Sequence, residues 1–334
     1  MNTPAPQQYY PQNSQVSSER VCGADTVAFQ PRLDYNSEDR HFVQDWILPT
    51  GKWKFLGVFD GHGAGTEAVE FVTNTLPAKI QESISSNLDL ATLTDDEIRQ
   101  AIWDPDTNKS SVKVLRGRTG TTALLALVDP FEVIHIASLG DCQALICERP
   151  AEDLEWDVKL LTKQHNCMNQ HEVDRVREEH PDEKECVKDY RTLGLITLTR
   201  ALGDMPFKLP AIYTQRVFAL ATPPFHENYR FHEIIDRNRT PPYLSTAADI
   251  IHLRPSASTT KPILILASDG LADLYAKTGK GDITKALSSW LTKYTVKDET
   301  NAAVDLLFDV FGGFQENVRS KGRVDDITIV FLSL

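Results

Sequence analysis

The sequence predicts a mixed α and β domain in which a core of two β-sheets is flanked by helices. Two observations support this prediction. Apolar runs of strand length are joined by short turns, as in residues 120–128 and 133–141 around DPFE, and other segments carry apolar residues on one helical face, as in residues 66–80. Because sheets and amphipathic helices must bury their apolar faces, these elements are expected to pack in layers. A chain of 334 residues is long enough for one large domain with a sizeable core.

The composition excludes several classes of protein. The apolar fraction of 41% and charged fraction of 25% are ordinary for a globular domain, and the net charge of -12 argues against nucleic acid as the main partner. No run approaches the roughly 18 to 20 apolar residues of a membrane span. We expect a monomer without a membrane span.

The cysteines predict free thiols in a reducing compartment, because they are odd in number and form no CxxC pair. They are Cys22, Cys142, Cys147, Cys167 and Cys186. A zinc site formed by Cys167, His165 and His171 is an alternative, but it lacks a second cysteine at structural-zinc spacing.

The first residues differ in composition from the rest of the chain. Residues 1–20 are rich in Pro, Gln and Ser and predict a disordered tail, which leaves residues 21–334 as the folded domain. There is no apolar signal segment and no arginine before Arg20, so neither a secretory signal nor a mitochondrial presequence is expected. We therefore expect a cytoplasmic protein.

The first elements after this tail are a strand at residues 26–29 and a buried strand at residues 55–59. The second strand ends in Asp60, Gly61 and His62, which predicts a carboxylate and an imidazole at the strand end. A helix should follow at residues 66–80 and be kinked or ended by Pro77.

The next segments predict a helix, a loop and a strand pair. A helix is expected at residues 94–103 with Thr94 as its cap, followed by a charged loop at residues 104–118. Residues 120–128 and 133–141 should form antiparallel neighbours, in which His135 is a packed or surface strand residue rather than a ligand.

The second half of the chain contains fewer regular patterns. Residues 172–180 predict a charged helix whose acids face solvent, and residues 193–204 predict a strand followed by a turn. Residues 205–262 contain eight prolines and predict a loop-rich region. Helices at residues 282–293 and 302–318 precede the last strand.

Acidic residues stand at the ends of several predicted strands. Asp269 ends an apolar run, Asp325 and Asp326 precede the last strand, Asp141 follows a strand, and Glu38 and Asp39 lie in NSEDR. Gathered together, such carboxylates would supply the oxygen ligands that hard divalent cations prefer. The sequence thus predicts a site for Mg²⁺ or Mn²⁺ rather than for zinc.

Five motifs occur in an order that resembles the metal-dependent serine/threonine phosphatases of the protein phosphatase 2C family: VFDGHG, SLGDCQALI, LTRALGD, ILASDGLAD and VDDITIVFL. The resemblance covers residues 21–334. NSEDR, KDYRTLGLITLTRALGDMPFK and PPYLSTAADI are most similar to the pyruvate dehydrogenase phosphatase branch. The family resemblance implies an αββα sandwich, in which two antiparallel sheets have helix pairs outside. It also implies a dinuclear metal site at one end of the sandwich.

The resemblance also implies roles for individual residues. Asp60 would bridge two Mg²⁺ or Mn²⁺ ions, Glu38 and the Gly61 carbonyl would bind one, Asp269 and Asp325 would bind the other, and Asp141 would contribute to a weaker third site. Asp326 would orient its loop, Arg200 and Asp204 would support the edge of the site, and His62 would act as general acid.

The implied activity is hydrolysis of phosphoserine and phosphothreonine in phosphoproteins by a metal-activated water, without a covalent intermediate. Residues 205–262 would form a flap beside the active site, in which residues 207–239 would help to select the phosphoprotein. The branch implies a mitochondrial location as the alternative to the cytoplasm.

The chain departs from the family at the position of an arginine that usually binds the substrate phosphate. Counted back four residues from Glu38, that position is Asp34. Asn36, Arg32 or Arg40 are the candidates to replace its function. Two other functions remain open: a phosphoprotein-binding member without turnover, and a two-metal hydrolase of small phosphate esters or nucleotides, for which no basic or aromatic nucleotide platform is evident.

Overall fold

The computed structural model describes residues 14–48, 50–63, 65–86, 110–149, 155–216, 218, 231–256, 261–278, 282–294, 300–314 and 324–334. The strands within these ranges are β1 (Gln15–Val21), β2 (Ala24–Gln30), β3 (Arg40–Leu48), β4 (Gly51–Phe59), β5 (Gly61–His62), β6 (Gly120–Thr121), β7 (Ala123–Val128), β8 (Ile134–Leu139), β9 (Gln143–Glu148), β10 (Asp157–Leu160), β11 (Val187–Lys188), β12 (Arg191–Thr192), β13 (Leu202–Gly203), β14 (Asp249–Leu253), β15 (Ile263–Ala267) and β16 (Ile327–Ser333). The α-helices are α1 (Glu67–Ser86), α2 (Ser110–Arg118), α3 (Gln170–Glu179), α4 (Ala211–Arg216), α5 (Phe231–Arg237), α6 (Asp269–Thr278), α7 (Ile283–Lys293) and α8 (Ala302–Phe314).

Two large antiparallel sheets form the centre of the fold. One has the strand order β1-β2-β16-β15-β9-β10, and the other has the order β14-β8-β7-β4-β3. Apolar side chains from the facing sides of both sheets pack together, including Leu56, Val58 and Leu124 against Leu264 and Leu266. The core therefore lies between the sheets.

Helices cover the outer faces of both sheets. On β15, Ile263 and Ile265 point away from the inter-sheet core and pack with Leu287 of α7 and Leu306 of α8. This alternation along β15 is the period of two that a strand buried on both faces requires. On the other sheet, Val69 of α1 packs in a cluster with outward-facing residues of β4 and β7. The predicted αββα sandwich is confirmed.

The prediction of a disordered tail is wrong for its last residues. Gln15–Val21 form β1, which pairs along its whole length with β2. The side chains of β1 are mostly exposed, so backbone pairing to a neighbouring strand, which composition does not report, orders this segment. Residues 1–13 lie outside the described residues.

Two predictions about the segment after the site motif need correction. Pro77 does not end α1, which continues to Ser86 with its apolar face buried against the sheet by Val69 and Ile80. Residues 110–118, expected as part of a loop, form α2. The helix predicted at residues 94–103 lies outside the described residues.

The region around α3 also differs from the prediction. Residues 193–204 contain isolated bridges and the two-residue strand β13 rather than a regular strand. α3 begins after Asn169, whose side chain accepts a hydrogen bond from the backbone N–H of His171. Glu172, expected to face solvent, is only 5% exposed.

The remaining elements follow the predicted pattern. The predicted antiparallel pairing of β7 with β8 is confirmed. Asp282 caps α7 by accepting from the backbone N–H of Thr284 at 2.8 Å. Between residues 205 and 262, the described parts contain α4, α5 and β14. None of the helices within the described ranges has the length and apolar character to cross a membrane.

The five cysteines form no disulfide, and all five lie within the described ranges. Cys22 is exposed, and the other four are buried. This arrangement agrees with the prediction of free thiols.

Candidate metal centre

Asp60 is held at the end of β4 by two threonines. Its backbone N–H donates to Thr122 Oγ1 at 3.1 Å, and its carbonyl accepts from the Thr122 N–H at 2.9 Å and from Thr121 Oγ1 at 3.1 Å. These bonds fix the backbone of Asp60 and do not involve its carboxylate.

Asp141 lies in the turn after β8. Gly140 precedes it with a φ of +102°, and a side chain there would collide with Thr122. Asn166 Nδ2 donates to Asp141 Oδ2 at 3.0 Å. Asn166 was not identified from the sequence, and it orients this carboxylate.

Asp269 is placed by the junction of β15 and α6. Gly270 follows it in close contact with the Asp326 carbonyl, where no side chain could fit. The carboxylate of Asp269 therefore stands at the N-terminus of α6, beside the start of β16.

Asp60, Asp141 and Asp269 come together at this end of the sandwich. Each offers a carboxylate oxygen, and these oxygens all lie within 4.8 Å of one another. Burial raises the pKa of all three carboxyls, and for Asp60 and Asp269 the charges of neighbouring aspartates raise it further. A cluster of like charges with only oxygen donors fits a hard divalent cation, which would offset the repulsion.

Glu38 and Asp326 are joined beside this triad. The Glu38 N–H donates to Asp326 Oδ2 at 2.9 Å, and Glu38 Oε1 accepts from the Gly65 N–H at 3.1 Å. The Glu38 carbonyl accepts from the Gly61 N–H at 3.1 Å, so Gly61 stands directly against this loop.

Asp325 lies next to Asp326 and is exposed, and its Oδ1 accepts from the Asp326 N–H at 3.1 Å. Within the described ranges, neither Glu38 nor Asp325 joins the triad at the distance that unites its members. The family resemblance implied that Asp141 contributes to a weaker third metal site, and the structure places its carboxylate with those of Asp60 and Asp269.

Asp39, which the sequence grouped with Glu38 among the acids at strand ends, is buried. Burial raises its pKa to about 7, although a hydrogen bond from Ser268 Oγ to Asp39 Oδ2 at 2.7 Å opposes this rise. Ser268 Oγ also accepts from the Thr328 N–H at 3.0 Å. This chain of bonds connects the loop of Glu38 to the residue before Asp269.

His62 is paired with Asp204. Nε2 of His62 lies 2.6 Å from Asp204 Oδ2, and Asp204 is fully buried. Burial lowers the pKa of His62, but the charge of Asp204 and the hydrogen bond outweigh this effect and raise the pKa above its ordinary value. Gly120 makes the pairing possible, because a side chain there would collide with both partners.

Arg200 connects Glu172 to Asp249. It donates to Glu172 Oε1 at 2.5 Å and to Asp249 Oδ1 at 3.0 Å. Asp249 in turn lies 3.3 Å from His165 Nε2.

The zinc alternative does not assemble. His165 Nδ1 accepts from the Gly140 N–H at 3.2 Å, Cys167 Sγ lies 3.5 Å from Thr192 Oγ1, and His171 is exposed. Within the described residues these three side chains form no common metal-binding group.

Both arginines near Asp34 form contacts with neighbouring residues of the chain. Arg32 forms an ion pair with Asp34 and lies over the ring of Tyr35. Arg40 donates to the carbonyls of Ser37 and Asp39, at 2.6 and 2.7 Å. Asn36 is exposed.

A sequence model of the family described as protein phosphatase 2C matches residues 30–305. The chain belongs to the protein phosphatase 2C family. The match covers β3 through the first four residues of α8 and includes Asp60, Asp141 and Asp269.

Curated relatives within protein phosphatase 2C agree with the predicted branch. Pyruvate dehydrogenase [acetyl-transferring]-phosphatase 1, mitochondrial, of Bos taurus is 30% identical over 202 residues, which cover 59% of this chain and 36% of the relative. The protein of the same name from Saccharomyces cerevisiae is 29% identical over 264 residues, covering 72% of this chain and 44% of the relative. The chain thus spans less than half the length of these two relatives.

A solved structure described as that of a C. elegans sex determining protein resembles the protein phosphatase 2C chain with a TM-score of 0.54 and 18% sequence identity. The match covers 96% of this chain and 64% of that chain. At this identity the likeness concerns the fold alone.

Proposed function

We propose that the chain is a metal-dependent protein phosphatase that hydrolyses phosphoserine and phosphothreonine. The convergence of Asp60, Asp141 and Asp269 carries this proposal, because their oxygens lie within 4.8 Å of one another although the residues come from three distant parts of the chain. A phosphate monoester dianion repels nucleophiles, so its hydrolysis requires a site that can neutralise charge.

Asp60, Asp141 and Asp269 would hold Mg²⁺ or Mn²⁺, with Glu38, the Gly61 carbonyl and Asp325 as further ligands. We propose two ions, with Asp60 between them, and a weaker third that involves Asp141. Bound there, the ions would acidify a water molecule and offset the charge of the phosphoryl group. Asp326, through its bond to the Glu38 N–H, would orient the loop that carries Glu38.

His62 would supply the proton to the leaving serine or threonine oxygen. This role requires an imidazole that stays protonated near neutral pH, and the adjacent carboxylate of Asp204 favours that form. No serine or cysteine nucleophile is needed, so we propose that no covalent intermediate forms.

The substrate would be a phosphoprotein selected in part by residues 207–239. The names of the relatives make phosphorylated pyruvate dehydrogenase a candidate to test. Their names also include the word mitochondrial, which supports the mitochondrial alternative to the predicted cytoplasmic location. Imaging of the tagged chain with a mitochondrial marker would distinguish the two compartments.

The activity is tested by measuring phosphate release from a phosphothreonine peptide with Mn²⁺, with Mg²⁺ and with a chelator. We expect metal-dependent release by the wild type and none by Asp60→Asn. Asp174→Asn is the matched control, because Asp174 is an exposed carboxylate on α3. Its turnover should equal that of the wild type.

The same experiment separates the alternatives. A folded wild-type protein that binds the phosphopeptide without releasing phosphate would contradict the proposal and favour a phosphoprotein-binding member. Turnover of nucleotides or small esters in preference to the peptide would favour a small-molecule hydrolase.

A further inference from the structure

Two histidines lie opposite each other on the edge of the five-stranded sheet. His135 on β8 and His252 on the edge strand β14 are register partners, so their side chains project from the same face. Opposed residues on antiparallel strands have Cβ atoms only about 5 Å apart, close enough for both imidazoles to reach one ion. His252 is exposed and His135 is about one third exposed.

The two imidazoles direct the same type of nitrogen at each other. Nδ1 of His135 lies 2.8 Å from Nδ1 of His252, and the rings meet edge to face with centroids 4.9 Å apart. Trp53 on β4 stacks on the other side of His135 at 6.1 Å. The ring of His135 is therefore held between a strand neighbour and an indole.

Asp129 lies beside the remote ring nitrogen of His135. Its Oδ1 accepts from the backbone N–H groups of Phe131 and Val133, both at 2.8 Å, which fixes the carboxylate in the turn before β8. Its Oδ2 lies 3.5 Å from His135 Nε2. A carboxylate only accepts, so it favours the tautomer with the proton on Nε2, in which Nδ1 of His135 presents a lone pair towards His252.

We propose that His135 and His252 form a binding site for Zn²⁺ or Cu²⁺, with Asp129 as the positioning carboxylate. The ion takes the place of the proton shared by the two Nδ1 atoms. Two nitrogens on one tetrahedral zinc are about 3.3 Å apart, so small side-chain rotations suffice. A carboxylate on the remote nitrogen of a ligating histidine is the common arrangement around protein-bound zinc.

This site differs in chemistry from the carboxylate triad. Imidazole nitrogens favour zinc and copper, whereas the oxygens of Asp60, Asp141 and Asp269 favour Mg²⁺ and Mn²⁺. His135 also lies four residues before the end of β8, about 13 Å along the strand from the turn that carries Asp141. Excess Mg²⁺ should therefore leave the histidine pair available.

The test is addition of one equivalent of Cu²⁺ to the full chain in excess Mg²⁺, followed by electron paramagnetic resonance. We expect splitting from two imidazole nitrogens in the wild type and its loss in a His135→Gln, His252→Gln double variant. Calorimetric titration with Zn²⁺ should show affinity at least about tenfold weaker in each single variant. His171→Gln, which removes an exposed histidine on α3, should change neither result.

Asp129→Asn separates positioning from structure, because the asparagine carbonyl can still accept from Phe131 and Val133. We expect Zn²⁺ affinity about tenfold weaker with an unchanged circular dichroism spectrum. A copper spectrum with oxygen ligands alone, or equal Zn²⁺ affinity in the wild type and a folded double variant, would overturn the proposal. The two imidazoles would then only hydrogen-bond to each other.

Discussion

Replacing Glu172 by glutamine should destabilise the fold by roughly 3 kcal/mol at neutral pH, and this loss should shrink in acid. Glu172 is a buried carboxylate on α3. It accepts from Thr199 Oγ1 at 2.7 Å and from Arg200 and Arg175, each with a contact of 3.0 Å to Oε2. Glutamine keeps the shape of the side chain but removes the charge that these donors stabilise.

The magnitude follows from the pKa of Glu172. Burial would raise it, but the hydrogen bonds from Arg200, Thr199 and Arg175 outweigh burial and lower the pKa from 4.5 to about 2. A difference of about 2.5 pH units corresponds to roughly 3 kcal/mol. Since the folded-state pKa is depressed, this stabilisation is complete above pH 4.5 and is lost as the pH falls towards 2.

The assay is urea unfolding of the metal-free wild type and Glu172→Gln at pH 7, 5 and 4. The difference in unfolding free energy should be constant between pH 7 and 5 and about 1 kcal/mol smaller at pH 4. Glu179→Gln is the control, because Glu179 is a half-exposed partner of Arg175 and such pairs contribute about 1 kcal/mol or less. A Glu172→Gln difference no larger than that of the control, or independent of pH down to 4, would refute the reasoning.

Four further changes test the candidate centre. Asp269→Asn should reduce phosphopeptide turnover to the level seen with chelator and weaken Mn²⁺ binding in a calorimetric titration; unchanged turnover would exclude Asp269 as a ligand. His62→Gln should slow release of serine and threonine leaving groups by about 10² or more, while activated aryl phosphates lose less, as measured by steady-state rates on both substrate types. Equal losses on both would contradict the acid role. Asp204→Asn removes the charge that raises the pKa of His62, so the alkaline limb of the kcat profile should move to lower pH; an unmoved limb would show that His62 is not the titrating acid. Gly120→Ala places a side chain against the His62–Asp204 pair and should lower phosphopeptide turnover with little change in Mn²⁺ affinity; wild-type turnover would show that the pairing is dispensable.

Local patterns were sufficient to predict the buried strands that carry the site. The apolar run before Asp60, the run before Asp269 and the run after Asp326 all form strands, because buried strands require continuous apolar sequence. The helix predicted at residues 282–293 also forms, and its cap at Asp282 depends only on neighbouring residues.

Other features depended on partners that are distant in sequence. β1 is ordered by β2, and α1 passes Pro77 because the sheet buries its apolar face. Glu172 was predicted to face solvent because its neighbours are charged, whereas Arg200 draws it into a buried ion pair. Sequence patterns report the average environment of a segment but not the partner of one side chain.

The sequence by itself determined the family, the two-sheet core and which acids stand at strand ends, because each of these depends on local residue order. Only the tertiary structure decided that Asp141 joins Asp60 and Asp269 and that Asp204 pairs with His62. The residues of the latter pair are 142 positions apart in the chain. Contacts over such separations are created by the packing of whole sheets, and their energies depend on burial and charge that exist only after the chain has folded.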